Sequence, residues 1–167
     1  AAEYLSYLEG VLADVFRDVG VPLTIGGEHT VSVAGIRATE PDVVVSIDAH
    51  LDIRAEYDGN ELSHACTMRH ALDVADELVV VGARTGSPEE WERAEQDDVT
   101  VISPEAVENW TGPAADEDVY LSVDIDAADP AVAPGTGTME PFGLTARDIR
   151  DVVRTVAPGA CGFDVVE

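Results

Sequence analysis

The stretch that most constrains this chain is Val43-Val44-Val45-Ser46-Ile47-Asp48-Ala49-His50-Leu51-Asp52. Its apolar, β-branched first half reads as a strand buried on both faces. The strand runs straight into D-x-H-x-D. On an extended backbone alternate side chains share a face, so Asp48, His50 and Asp52 point the same way at the strand's carboxyl end. Two carboxylates and an imidazole converging on one point call for a cation between them. The same logic recurs in Ser122-Val123-Asp124-Ile125-Asp126, after another apolar run. Two such ends aimed at one place would hold a metal cluster.

The rest of the chain alternates strand and helix signals. Tyr4, Leu5, Leu8, Val11, Leu12, Val15, Phe16 and Val19 recur at helical spacing over residues 3–19, and Gly20 stops that helix. Strands are expected at 21–25, 43–47, 78–81, 99–102, 119–125 and 161–166. Helices are expected after His29 through Ile36, over 65–75, from Ser87, from Ser103, and over 145–156. Ser87-Pro88-Glu89-Glu90 carries a cap, a first-turn proline and the glutamate of a capping box. The Pro/Gly-rich stretch 129–143 reads as a long loop. This alternation predicts an α/β fold with a mostly parallel sheet, whose sites gather at the carboxyl ends of strands.

The 167 residues suit a single domain, 1–167, with a real core. Formal net charge is −25, and all nine basic residues are arginine. Such a surface argues against nucleic acid or an anionic membrane as partner. The acids are scattered rather than blocked, which reads as whole-surface solvation of the kind found in a salt-rich, halophilic cytoplasm. Cys66 and Cys161 stand outside any C-x-x-C motif and fit a reducing, cytoplasmic setting as small buried residues. No apolar run is long enough to span a bilayer. The chain opens without methionine and stops inside an apolar run ending in Glu167, so it is expected to be incomplete at both ends.

Four strand ends carry polar groups where an open α/β sheet places its site: Glu28-His29, Asp48/His50/Asp52, Asp124/Asp126 and Asp164/Glu167, with His64 in a nearby loop. His29, Asp48, His50, Asp52, Asp124 and Asp126 offer two nitrogens and four carboxylates. That is too many anions for one ion and suits two divalent ions sharing carboxylates. Oxygen-rich ligation with some imidazole favours manganese over zinc or copper. A water shared by two such ions would be hydroxide near neutral pH, and so a nucleophile. Glu28 and Asp164 read as supports behind the ligands.

Gly26-Gly27-Glu28-His29, Asp48-Ala49-His50-Leu51-Asp52 and Ser122-Val123-Asp124-Ile125-Asp126-Ala127-Ala128-Asp129-Pro130 resemble the three signature motifs of the ureohydrolases, the family of arginase and agmatinase. The resemblance runs in order along nearly the whole chain. It extends to Ser63-His64-Ala65-Cys66, Pro134-Gly135-Thr136-Gly137-Thr138 and Phe163-Asp164-Val165-Val166-Glu167.

The resemblance implies a three-layer α/β/α fold of arginase type with two Mn2+ per subunit, hydrolysing a guanidinium group to urea and an amine. It implies that His29, Asp48, Asp52 and Asp124 hold one ion, and that Asp48, His50, Asp124 and Asp126 hold the other. Asp48 and Asp124 would bridge. His64 would shuttle protons to the leaving amine, and Glu167 would hydrogen-bond the guanidinium, as suits a forked planar cation.

The loop from Asp52 to Tyr57 with Ser63 to Arg69 resembles agmatinases more than arginases, implying agmatine as substrate and putrescine as product. Arginase, guanidinobutyrase and formimidoylglutamase activities are the rivals within the class. A single-zinc deacetylase and a non-catalytic metal-binding subunit are the rivals outside it. Met139 and Phe142 depart from the family pattern in a loop that borders the site, which bears on substrate range. The family is usually oligomeric, often trimers or hexamers.

Overall fold

The computed structural model describes residues 2–167. Its strands are β1 (Leu23–Ile25), β2 (Val43–Ile47), β3 (Glu77–Val81), β4 (Val99–Ile102), β5 (Val119–Asp124) and β6 (Ala160–Val166). Its α-helices are α1 (Ala2–Asp18), α2 (Val31–Thr39), α3 (Thr67–Ala71), α4 (Pro88–Arg93) and α5 (Ala146–Val156). The strands form one sheet in the order β1-β6-β5-β2-β3-β4, and every pairing is parallel.

The strand sequences explain the layers. Every residue of β2 is buried, as the unbroken run from Val43 requires. Val43, Val45 and Ile47 face the same side as Val79, Val81, Leu121 and Val123, where Val152 and Val156 of α5 cover them. Val44, Leu78, Val80 and Tyr120 face the other side, under Ile36 of α2 and Met68 of α3. The sheet therefore lies between helical layers, as an α/β fold of this kind demands.

The strand order fixes the place of a site. From β2 the chain runs outward through β3 and β4, then returns to build β5 and β6 on β2's other side. The connection reverses between β2 and β5, and ligands of open α/β sheets bind in the crevice at such a switch point. Ile47 pairs with Val123, so Asp48 and Asp124 leave neighbouring strands at one level.

Several expectations are corrected. The apolar stripe of α1 buries only in part. Leu5 and Leu12 pack on Ala34, whereas Tyr4, Val11, Phe16 and Val19 are exposed. The helix expected from Ser103 does not form. Ala106, Asn109 and Trp110 each bond back three residues, giving a turn and a short 3-10 segment, Val107–Asn109. Gly112 at φ +87° before Pro113 then turns the chain too soon for a longer helix to be rewarded. Trp110 packs against the α5 side of the core from this segment, not from a helix. The helix expected over 65–75 is a 3-10 turn, His64–Cys66, followed by the short α3. The capping boxes at Ser87/Glu90 and Thr145/Asp148 are both present. Among the described residues no helix is long and apolar enough to cross a membrane.

Candidate metal centre

The ends of β2 and β5 and the turn after β1 bring His29, Asp48, His50, Asp52, Asp124 and Asp126 together beneath a cavity of about 600 Å3. Five of them fall into two groups; Asp52 stands outside both, and Asp124, expected in both, belongs to the first alone. His29, Asp48 and Asp124 present ligand atoms to one point, and Asp48, His50 and Asp126 to another. Asp48 belongs to both. Its Oδ2 lies 3.4 Å from His29 Nδ1, while its Oδ1 lies 3.4 Å from His50 Nδ1. Asp124 Oδ2 lies 3.5 Å from His29 Nδ1, and Asp52 Oδ2 lies 3.0 Å from the same nitrogen. His50 Nδ1 meets Asp126 Oδ2 at 2.9 Å.

Backbone geometry aims these carboxylates. Asp48 Oδ1 accepts from the His50 N–H, Asp124 Oδ1 from the Asp126 N–H, and Asp126 Oδ1 from the Ala49 N–H. Each anchor leaves the second oxygen for the cluster. Asp52 turns into it through a left-handed backbone, φ +51°.

Behind His29 runs a chain of buried side chains. Tyr120 Oη donates to Asp164 Oδ2 at 2.7 Å, and Ser122 Oγ donates to Asp164 Oδ1 at 2.8 Å. With its hydrogen committed, Ser122 Oγ accepts from His29 Nε2 at 3.1 Å. That assignment puts the ring hydrogen on Nε2 and leaves Nδ1 for the cluster. Gly35 makes room for this chain, since a Cβ there would overlap the Tyr120 hydroxyl. Ser122 and Tyr120 were not singled out by the sequence reading. The period of two along β5 puts Tyr120, Ser122 and Asp124 on one face, and that was the available signal.

The site's electrostatics describe a crowd of acids short of positive charge. Burial, then the neighbouring Asp52, pushes Asp48 up to about 6. Burial, then Asp48, pushes Asp124 up to about 8. Burial disfavours charge on His29, but its bond to Asp52 and the surrounding carboxylates outweigh this and raise it to about 10. His50 is raised to about 11 in the same way, burial being overcome by Asp126 and Asp48. Burial also opposes the charge of Asp126, yet His50 and the Ala49 N–H hold it below its ordinary value.

The remaining named residues lie as follows. His64 and Glu167 both line the cavity. The exposed His64 ring tilts against Tyr57, with ring centroids 5.6 Å apart, and its Nδ1 lies 3.9 Å from Glu28. Glu28 does not lie behind the ligands as expected: its half-exposed carboxylate accepts from the Thr30 hydroxyl and lines the cavity. Asp164 lies behind the ligands, fully buried. Glu167 Oε1 accepts from the Gly137 N–H at 2.9 Å, so the rim loop holds its carboxylate. Thr138 of that loop lines the cavity; Met139 and Phe142 are exposed and are not among its walls. Arg54, Tyr57 and Glu90 complete the mouth, with Arg54 Nε donating to Glu90 at 3.1 Å.

The family model described as "Arginase family" matches residues 1–167. The chain belongs to the arginase family. It is 35% identical over 177 residues to the agmatinase of Bacillus cereus, covering 99% of this chain and 59% of that protein. It is 32% identical over 175 residues to the agmatinase of Halalkalibacterium halodurans, covering 98% of this chain and 61% of that protein. The crystal structure of agmatine ureohydrolase of Thermoplasma volcanium superposes with a TM-score of 0.91 at 37% identity, covering all of this chain and 61% of that one. The chain thus spans about three-fifths of the length of these relatives. The arginase-like α/β fold is that of its structural neighbours.

Proposed function

We propose that this chain carries the active centre of a binuclear manganese ureohydrolase that converts agmatine to putrescine and urea. The observation that carries the reading is the pair of ligand groups hinged on Asp48 under a walled cavity. The residues suit a metal. Asp48 Oδ2 is buried without a hydrogen-bond partner, and an unpaired buried carboxylate oxygen is costly unless a cation meets it. The donor set is rich in oxygen with two imidazoles, which suits Mn2+. His29, Asp48, Asp52 and Asp124 would hold one ion, and Asp48, His50, Asp124 and Asp126 the other. When bound, such a pair supplies an activated water and a positive clamp on developing charge.

The chain's own residues supply the rest. Glu167, tethered by Gly137, offers a carboxylate to the forked N–H groups of a guanidinium. His64, exposed at the cavity wall, delivers a proton to the departing amine. Glu28, beside His64, adds negative charge toward the far, cationic end of the substrate. The agmatinase relatives support agmatine over the other guanidino compounds. We further propose a cytoplasmic homo-oligomer, a trimer or hexamer, which light scattering of the purified protein tests directly.

The decisive assay measures urea released from agmatine, arginine and guanidinobutyrate by the manganese-loaded protein. Agmatine should be turned over fastest. Absence of urea from all three, with manganese bound, would leave a metal-binding subunit instead.

A further inference from the structure

We propose that Arg84 is a positioning residue for the His50–Asp126 half of the centre, tying that half to the cavity rim. The inference rests on the binuclear reading above. Arg84 follows β3 and belongs to none of the motifs that mark the site.

Its guanidinium reaches backbone carbonyls from three segments. Nη1 donates to Gly82 and Ala127, each at 3.1 Å. Nη2 donates to Asp126 at 3.0 Å and Glu140 at 2.7 Å, and approaches the Ala128 carbonyl at 3.4 Å. Nε donates to Pro141 at 3.1 Å. The backbone of Arg84 adds a fourth segment: its N–H donates to the Ala49 carbonyl at 2.9 Å. Ala49 stands between Asp48 and His50, and its own N–H anchors Asp126 Oδ1. One residue thus grips the backbone on both sides of the second ligand group.

Two features mark this as a built arrangement. Among the described residues Arg84 has no carboxylate within ion-pair distance, although acids outnumber bases 34 to nine in this chain. Its burial lowers its pKa, against the fields of Asp126 and Glu140. A partly buried cation held only by carbonyl dipoles needs several of them correctly placed, and a planar five-donor fork meets that need where an ammonium does not. Gly143 supplies the space: a Cβ there would come within 2.6 Å of Arg84 Nη2. The neck of the rim loop is closed beside it, with Leu144 N–H donating to Ala127 O and Asp129 accepting from the Gly143 N–H.

The consequence is selective. Removing the fork releases the Asp126 turn and the 140–141 rim, but leaves His29 on its own support through Ser122 and Asp164.

The test compares the wild type with Arg84→Lys, and with Leu12→Ala in the separate core cluster between α1 and α2 as a control for general destabilisation. Mn2+ binding is followed by calorimetry and by electron paramagnetic resonance, which separates paired from isolated ions. Hydrogen exchange is followed in peptides covering 125–129 and 137–144. Arg84→Lys should weaken the second ion by about 10-fold or more, as outer-sphere changes do, with the first ion unchanged. Exchange should rise in both peptides and nowhere near His29. Leu12→Ala should lower the melting temperature without changing the ratio of the two affinities. An affinity for the second ion equal to that of the wild type, with unchanged exchange, in Arg84→Lys would overturn the proposal. A wild type binding fewer than two ions would instead overturn the binuclear reading, and exchange in the two peptides would still decide the role of Arg84.

Discussion

His29 and His50 both aim Nδ1 at Asp48, yet their surroundings differ. The His29 side chain is 3% exposed and the His50 side chain 22%. His29 is backed by a line of side chains, Ser122, Asp164 and Tyr120, reaching into the sheet. The His50 ring has no such partner, since its Nε2 is buried without a hydrogen bond. Its group is held through backbone instead, by the Ala49 N–H on Asp126 and by the Arg84 fork. The sheet is rigid and the loops are less so. A group fixed by the sheet should bind its ion tightly, and one fixed by loops at the cavity wall should exchange its ion more readily.

The largest expected effect comes from the residue that the halves share. Asp48→Asn removes a charge from both groups and should abolish binding of both ions. Urea release from agmatine should fall by about 10³-fold, which corresponds to about 4 kcal/mol of transition-state stabilisation. Retention of one tight ion would contradict the sharing of Asp48 by both halves.

Ser122→Ala comes next. It cuts His29 from Asp164 and leaves Arg84 untouched, so the first ion should weaken by about 10–100-fold while the second holds. Paired metal titrations of this variant and of Arg84→Lys would then show opposite patterns. Matching patterns would mean that the halves are one unit.

The smallest effect concerns pH. In the metal-free protein Asp48, Asp124, His29 and His50 are all raised, to about 6, 8, 10 and 11. A raised folded-state pKa gives stability that is complete below the unfolded value and lost as pH rises through the folded one. The metal-free protein should therefore melt at progressively lower temperature as pH rises from about 4, the ordinary carboxyl value, to about 11, the folded value of His50; Asp126, held low, acts in the opposite sense and only below that window. Ions must displace those protons, so manganese affinity should rise over the same range and binding should release protons. Calorimetry in two buffers of different ionisation enthalpy measures that release, and none would contradict the crowded-acid description.

Much of this was legible in the sequence because strand periodicity is short and strict. The run from Val43 could only be a central strand, and D-x-H-x-D at its end named the converging side chains, although the strand stops at Ile47 and bends with a left-handed Asp52, not an extended alternation, bring them together. Asp124 likewise ends its strand, whereas Asp126 reaches the cluster from the 3-10 turn Ile125–Ala127. Local signals failed where a distant contact decides. Ser103-Pro104-Glu105 is a sound helix start, but Gly112-Pro113 ends the segment before a helix is rewarded. The stripe on α1 marked the helix, but it does not say what covers it: among the described residues only Leu5 and Leu12 are buried. Arg84 carried no local sign at all. Apart from Gly82, the partners of its fork lie 42 to 57 residues away, and all are carbonyls, which every residue possesses. Tyr120 and Ser122 lay in plain register with Asp124, but strand residues of those types more often serve packing.

The claim on which the rest depends is that the halves meet at Asp48 and together hold two ions. Titration of the wild-type protein with Mn2+, followed by calorimetry and electron paramagnetic resonance, tests it most directly. The account predicts two ions per chain, the first tighter than the second, with the spectrum of a coupled pair appearing as the second binds. A single ion per chain with an isolated-ion spectrum at saturation would contradict it.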